Sequence, residues 1–333
     1  MPSRQTLPDI LRQHDSGTRG IEYIDGQSDR RRVAYSETLA NALGVLHHFQ
    51  ASGMQPGDRV ILFTPSTEQF VDGFWACQFG GLVPVPVAVG ISDDHRHKLL
   101  RIFSLLGNAW IYTDEARMRR LADFGGEAGL KAEVGALLQR CFPVERIDSV
   151  ATSGAVHESR ANDLALIQFS SGSTSDPKGV QLTHANLLTN IGDISTRSEL
   201  RGDDVMLSWM PLTHDMGLIG MYLSAISMGV DGAVMDTQLF TRRPLLWLEE
   251  AHRLGASVLS SPNFGFKHVL KVFRSKGLDD VRLDRVRLIY NGAEPILPEV
   301  CREFLEAMAP FGLRHETMFP VYGLAEASLA VTI

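Results

Sequence analysis

Residues with chemistry to offer crowd into one run of this chain, Ile167 to Val180, which reads IQFSSGSTSDPKGV. The hydroxyls of Ser170, Ser171, Ser173 and Thr174 are hydrogen-bond donors. Gly172 and Gly179 permit backbone angles and close approaches that side chains forbid, so main-chain N–H groups are free to point at an anion. Lys178 adds a compact ammonium on a flexible stem, suited to the outer phosphates of a polyphosphate. A Walker loop is excluded by residue order, because it ends Gly-Lys-Ser/Thr whereas here the lysine precedes the glycine. The run reads as a phosphate grip or as a solvated Ser/Gly/Pro connection, which shares this composition.

Three more segments place polar or glycine residues behind an apolar run: Trp209 to Gly220 (WMPLTHDMGLIG), Tyr290 to Pro295 (YNGAEP) and Tyr322 to Ala327 (YGLAEA). In parallel α/β sheets ligands collect beyond the carboxyl ends of strands, so these segments are expected to meet the lysine loop at one crevice. Each candidate also has a plainer reading. Glu326 suits the first turn of a helix, where a carboxylate complements the dipole, and Tyr322 suits a core aromatic with its hydroxyl satisfied. His214 suits a partly buried, satisfied histidine, and Asp215 a turn residue bonded to its own neighbours. Behind His214, the residues Met216, Leu218, Ile219, Met221, Tyr222, Leu223, Ile226 and Met228 are apolar on nearly every side, interrupted by Gly217 and Gly220. That pattern fits the wall of an apolar tunnel and a buried core helix equally.

The elements that must position these segments show in the apolar periodicity. Leu39, Leu43 and Leu46 behind Ser36 mark an amphipathic helix with Ser36 as its cap. Val60 to Phe63 reads as a short strand, and Ser66 with Gln69 is spaced as a capping box before Phe70, Phe74 and Cys77 on one helical face. Val83 to Val87 alternates with prolines that cannot donate, which predicts an edge or irregular strand. Trp110 to Tyr112 and Leu164 to Phe169 are further strands, and Thr183 to Asn186 starts a helix. From about Gly125 to Ser159 the pattern weakens, so a subdomain boundary is expected there, dividing residues 1–159 from 160–333. Beyond it, strands at Val205 to Trp209, Ala233 to Met235, Ser257 to Ser260 and Arg287 to Tyr290 alternate with helices. Pro244 and Pro298 stand at first turns and Gly255 at a helix end. The alternation predicts an α/β fold with largely parallel sheets.

A chain of 333 residues, 44% hydrophobic and 21% charged, has the composition of a globular protein of two or three domains. A net charge of −7 gives no electrostatic footprint for nucleic acid, and Arg30, Arg31 and Arg32 form too short a run to supply one, reading as a solvated surface turn. Cys77, Cys141 and Cys301 are widely spaced, which fits neither a disulfide framework nor a zinc site and suggests a reduced, cytoplasmic setting. No run approaches the ~18 apolar residues of a membrane span, and the first residues lack a signal-peptide core. Ser328 to Ile333 ends within a strand-like run, so the chain is expected to belong to a longer protein.

Taken together, SSGSTSDPKG, HDMGLIG, NGAEP and YGLAEA, in this order and spacing, resemble the adenylate-forming superfamily of acyl-CoA synthetases, firefly luciferase and peptide-synthetase adenylation domains. Within it the segments look most like fatty acyl-AMP ligases, and the resemblance runs from about Val33 to the last residue. It implies the large N-terminal domain of that superfamily, two mostly parallel sheets flanked by helices in a layered αβαβα arrangement. The barrel and the small mobile C-terminal domain, whose lysine assists adenylation, would lie beyond Ile333. The implied activity is attack of a fatty acid carboxylate on the α-phosphate of ATP, with release of pyrophosphate and formation of an acyl-adenylate. The acyl group would then pass to the phosphopantetheine thiol of an acyl carrier protein in polyketide or lipopeptide assembly. Two alternatives stay open: an acyl-CoA synthetase with CoA as acceptor, and a module that binds acyl or nucleotide groups without catalysis.

Residue by residue, the resemblance assigns Ser170, Ser171, Gly172, Ser173, Thr174 and Lys178 to the β- and γ-phosphates and Glu326 to Mg²⁺. Tyr322 and Gly323 would lie against the adenine, with Asn291, Gly292, Ala293 and Glu294 on its other side. His214 is placed at the mouth of the acyl pocket near the reacting carboxylate, with Met216, Gly217, Ile219, Gly220, Asn263 and Phe264 along its walls. Lys178, His214 and Glu326 form the expected catalytic set. An amino-acid substrate is disfavoured, because an α-ammonium needs a buried carboxylate partner and only Asp215 offers itself. Ala325 stands where many relatives carry threonine, which fits the acyl-AMP ligase branch and removes a hydroxyl near the α-phosphate. Without the small domain, the chain is expected to hold acid or nucleotide but to adenylate poorly.

Overall fold

The computed structural model of the protein describes residues 5–14, 17–64, 66–88, 90, 92–170 and 177–333. In chain order the elements are α1 (Leu7–Arg12), β1 (Gly20–Ile24), β2 (Arg30–Ala34), α2 (Tyr35–Ala51), β3 (Arg59–Leu62), α3 (Thr67–Gly80), β4 (Val83–Pro86), α4 (Asp93–Leu106), β5 (Trp110–Thr113), α5 (Glu115–Glu127), α6 (Lys131–Leu138), β6 (Cys141–Pro143), β7 (Leu164–Ser170), β8 (Lys178–Thr183) and α7 (His184–Arg197). There follow β9 (Val205–Ser208), α8 (Ser224–Met228), β10 (Asp231–Met235), α9 (Thr237–Arg242), α10 (Leu246–Leu254), β11 (Val258–Ser260), α11 (Asn263–Lys276), β12 (Leu288–Asn291), α12 (Pro298–Met308), β13 (Met318–Pro320), β14 (Tyr322–Leu324) and β15 (Leu329–Thr332). The fold is α/β with mainly parallel sheets, and the chain divides into two compact units.

The first unit comprises Ser36–Leu188 together with the segment that carries α1. Its sheet is parallel throughout, in the order β4-β3-β5-β6. Val60, Ile61 and Leu62 in β3 are all 0% exposed, as a parallel strand covered on both faces requires. Pro84 and Pro86 align with Val60 and Leu62 on the edge strand β4, the place where a missing N–H does least harm. Ser66 caps α3 by accepting the Gln69 N–H at 3.3 Å, whereas Ser36 lies inside the first turn of α2, which begins at Tyr35. β7 and β8 form an antiparallel ladder from Leu164 opposite Thr183 to Ser170 opposite Lys178. The second strand of this ladder is short of buried residues, Leu182 being buried and Val180 half-buried.

The break between the units falls after Leu188 instead of at Ser159. Residues before β7 are not a linker: Gly154 N–H donates to Leu43 O at 2.8 Å, and Gln50 exchanges two hydrogen bonds with the backbone of Ala155. Gln78, buried on α3, donates to Ala165 O at 2.7 Å and so ties the hairpin to the same unit.

The second unit comprises Gly17–Tyr35 and Thr189–Ile333. Its seven-stranded sheet runs β13-β12-β11-β9-β10-β1-β2, parallel except for the β1–β2 pair. The three arginines, expected as a surface turn, belong to the edge strand β2. Arg30 pairs with the buried Glu250, and Arg32 meets Asp231 at 2.7 Å.

One buried cluster sets the register of the three central strands that lead to the candidate site. Asp204, Ser257 and Arg287 each immediately precede a strand, β9, β11 and β12 respectively. Asp204 accepts from Arg287 Nε at 2.8 Å, from Ser257 Oγ at 2.6 Å and from the Arg201 N–H at 2.7 Å. Burial by itself would raise the Asp204 carboxyl, but these hydrogen bonds outweigh it and hold the pKa below the ordinary carboxylate value. Cys77, Cys141 and Cys301 are all buried free cysteines.

Candidate active site

At the far ends of these strands the polar segments begin. Ser208 Oγ and Ser260 Oγ lie 3.0 Å apart, joining β9 to β11, and Ser208 Oγ also accepts the Met210 N–H at 3.0 Å. Trp209 turns inward, 1% exposed and stacked flat on Phe240 with centroids 3.8 Å apart. Five residues on, His214 Nδ1 lies 2.8 Å from Asp215 Oδ1, and the Met216 N–H donates to the same oxygen at 2.7 Å. Asp215 thus serves both its own backbone neighbour and the imidazole. The Met216 N–H also donates to His214 Nδ1 at 3.2 Å, so Nδ1 is engaged on this side, and Nε2 of the 42% exposed side chain is the ring nitrogen outside these contacts.

The apolar run behind His214 starts as a π-helix, Met216–Leu223, and continues as α8. Such widened turns are uncommon and tend to occur at functional sites. All eight residues of the π-helix are buried, Met216 and Ile219 included. Gly217 is required by close approach, since a Cβ there would lie 2.4 Å from Pro211 O. Gly220 faces the Leu329 side chain from β15.

Asn263 and Phe264 open α11, and the Asn291–Pro295 turn follows β12. These two segments are bonded directly. Asn263 Nδ2 donates to Pro295 O at 2.6 Å, while its Oδ1 accepts from Asn291 Nδ2 and from the Leu297 N–H, each at 3.2 Å. Glu294 Oε1 accepts the Phe264 N–H at 2.7 Å. Asn291 Nδ2 also lies 3.2 Å from Cys301 Sγ, a neighbour that a lone cysteine in the sequence gave no reason to expect. Burial raises the Cys301 thiol pKa, with the Asn291 contact opposing, so at neutral pH the sulfur is a thiol. Phe264 remains 53% exposed and meets Trp209 edge-on with centroids 5.4 Å apart.

Gly292 packs on Val321, which leads into the hairpin of β14 and β15. Tyr322 is 61% exposed and so is not a core aromatic. A Cβ at Gly323 would lie 2.1 Å from Leu329 O, which leaves glycine as the residue that fits. Glu326 sits in a single 3-10 turn, Ala325–Ala327, and is exposed. Asn190 anchors the hairpin through two 2.9 Å hydrogen bonds to the backbone of Ala330. Sequence reasoning misses Asn190, since 140 residues separate it from its partner and no local pattern marks it.

Among the described residues no three His, Cys, Asp or Glu side chains cluster as a metal cage. Mg²⁺ on a nucleotide needs only one or two carboxylates besides phosphate oxygens and water, and the single exposed carboxylate of Glu326 fits that mode.

In the first unit, Lys178 is exposed at the start of β8, in register with Ser170. Ser171, Gly172, Ser173 and Thr174 lie outside the described residues.

The AMP-binding enzyme family matches residues 12–333. The chain is 33% identical over 334 residues to a Caulobacter vibrioides protein named as an acyl-CoA synthetase, a match covering 98% of this chain and 57% of that one. It is 28% identical over 341 residues to the medium-chain-fatty-acid–[acyl-carrier-protein] ligase JamA of Moorena producens, covering 99% and 56%. Among solved structures, the fatty acid AMP ligase from Legionella pneumophila superposes with a TM-score of 0.87 at 29% identity, over 98% of this chain and 56% of that one. The chain therefore spans little more than half the length of each protein it matches here.

Proposed function

The chain belongs to the AMP-binding enzyme family, and from that premise we propose that it carries the adenylating part of an ATP-dependent fatty acyl ligase that delivers its product to an acyl carrier protein. The observation that carries this reading is the grouping at the carboxyl ends of β9, β11 and β12. There the segments carrying His214, the Asn263–Phe264 pair and the Asn291–Glu294 turn follow three adjacent parallel strands; the last two are joined by hydrogen bonds, and the first meets them through the Phe264–Trp209 contact. Strand ends of this kind are where α/β proteins hold ligands.

Adenylation asks little covalent chemistry of the protein. Its demands are an oriented carboxylate and neutralised phosphate charge. In this reading His214 Nε2 orients the acid, and the apolar Met216–Gly220 segment with Phe264 faces its chain. Tyr322, Gly323 and the Asn291–Glu294 turn border the adenine. Ser170 to Thr174 and Lys178 hold the outer phosphates, and Glu326 holds Mg²⁺. The carrier-protein acceptor is supported by the naming of the Moorena relative, and CoA as the alternative by that of the Caulobacter relative. A cytoplasmic setting fits a family that works on ATP, and among the described residues no helix is long and apolar enough to cross a membrane.

Titration calorimetry with Mg-ATP tests the nucleotide side. The wild-type chain is expected to bind, and Lys178→Ala and Glu326→Ala each to weaken binding by about tenfold or more, the loss of one charge-assisted contact. Unchanged affinity in both variants would refute the assignment. Supplying dodecanoyl-adenylate with either phosphopantetheinylated carrier protein or CoA, followed by mass spectrometry, separates the two acceptors.

A further inference from the structure

Asn263 and Glu294 come from opposite sides of the proposed site, one from the acyl wall and one from the adenine turn, yet each is bonded into the other's segment. α11 starts after Pro262 with no side-chain cap of its own. In that first turn the Gly265 N–H bonds back to Pro262 O at 3.0 Å, and Glu294 reaches across to take the Phe264 N–H at 2.7 Å. In return Asn263 holds the turn at three points, Asn291 Nδ2, Pro295 O and the Leu297 N–H. Between them Ala293 stands at φ 69, a backbone region that a non-glycine residue keeps only when surrounding contacts over-determine it.

We propose that Glu294 and Asn263 are positioning residues that clamp the Asn291–Pro295 turn to the first turn of α11, so that filling the acyl side and filling the nucleotide side each raise affinity for the other. The inference rests on the functional reading of those two segments. The route is contiguous: the Phe264 N–H is bonded to Glu294, and the Phe264 ring lies against Trp209, which opens the segment carrying His214. Trp209 O in turn accepts from Thr237 Oγ1 at 2.9 Å, so this end of β9 is itself held. An acid that orders Phe264 orders Glu294 and thereby the turn, and a nucleotide meeting an ordered turn loses less freedom on binding. By linkage the effect is reciprocal. Glu294 then acts on the nucleotide through the backbone of its turn.

The test measures the dissociation constant of α,β-methylene-ATP with Mg²⁺, with and without saturating dodecanoate, for the wild-type chain and for Glu294→Ala, Glu294→Gln and Asn263→Asp. Glu294 is exposed, so its variants keep the fold, and unfolding midpoints are recorded beside each titration. In the wild type, dodecanoate is expected to tighten nucleotide binding about tenfold, within the usual range of site-to-site coupling. Glu294→Ala is expected to bring that ratio to within about twofold of one at an unchanged midpoint, with Glu294→Gln, which keeps a neutral acceptor, in between. Asn263→Asp, which keeps Oδ1 but loses the donor to Pro295 O, is expected to lower the ratio as well. A Glu294→Ala variant that retains the wild-type ratio overturns the clamp. So does a wild-type chain that binds both ligands with a ratio of one, in which case the adenylating reading stands. A wild-type chain that binds neither ligand overturns that reading and the clamp together.

Discussion

His184 makes the stability of the first unit depend on pH in a way that can be worked out in advance. It opens α7, is 2% exposed, and its Nδ1 accepts the Leu7 N–H at 3.2 Å, so that nitrogen carries no proton. Burial disfavours the imidazolium and lowers the pKa from 6.5 to about 4, with Asp163 and Asp9 opposing only in part. The unfolded chain therefore takes up this proton near pH 6.5, while the folded chain refuses it until about 4. Because the folded value is the depressed one, the stabilisation is fully present above pH 6.5, falls away as the pH drops from 6.5 to about 4, and changes no further below both values. At ~1.36 kcal/mol for each pH unit of difference, the loss comes to about 2 kcal/mol at pH 5 and about 3 kcal/mol at pH 4. The assay is urea unfolding of the wild type and of His184→Asn between pH 7.5 and 5. Asparagine can accept the Leu7 N–H without titrating, and the other histidines cancel in the comparison. The wild type is expected to lose about 2 kcal/mol more than the variant over that interval. Parallel stability curves, or an imidazole resonance of His184 titrating near 6.5, would refute the reasoning.

Gly217→Ala brings a Cβ to 2.4 Å from Pro211 O, and backbone cannot step aside as a flexible side chain does. A loss of about 1–3 kcal/mol in denaturant unfolding is expected, and an unchanged midpoint would show that the turn before the π-helix adapts freely. Asp204→Ala leaves the Arg287 guanidinium, whose side chain is 15% exposed, without its carboxylate. The expected cost is about 3–5 kcal/mol by chemical denaturation. A cost below about 1 kcal/mol would mean that the Ser198 and Glu199 carbonyls, which Arg287 also reaches, satisfy it unaided. Since the folded Asp204 pKa is depressed, its contribution is present above the ordinary value of 3.8 and is lost as the pH falls below it, an acid limb separate from that of His184.

Strands buried on both faces were legible as apolar runs: β3, β9, β11 and β12 lie within a residue or two of the expected positions. β2, β6 and β8 carry no such signal. β2 is an arginine run at a sheet edge, β6 is three residues long, and β8 buries only Leu182, so each exists through pairing with a distant strand. The boundary expected at Ser159 fails for the same reason, because an irregular segment without periodicity is nonetheless packed along α2 and α3 through backbone hydrogen bonds.

Local chemistry determines which residues end up at strand ends, since an apolar run followed by glycine and polar residues has few alternatives to a strand and a turn. By itself the sequence thus specified the α/β class and the family motifs, with His214 past the end of β9, Asn291 at the last residue of β12 and Tyr322 just past β13, where β14 starts. Tertiary structure decided what those residues do with their hydrogen-bonding atoms. Asn263 and Glu294, which look like two separate ligand contacts, are bonded across 28 to 34 residues of chain into one clamp, and Asn190 holds Ala330 from 140 residues away. Such pairings depend on which strands become neighbours, and that is settled by the packing of the whole sheet.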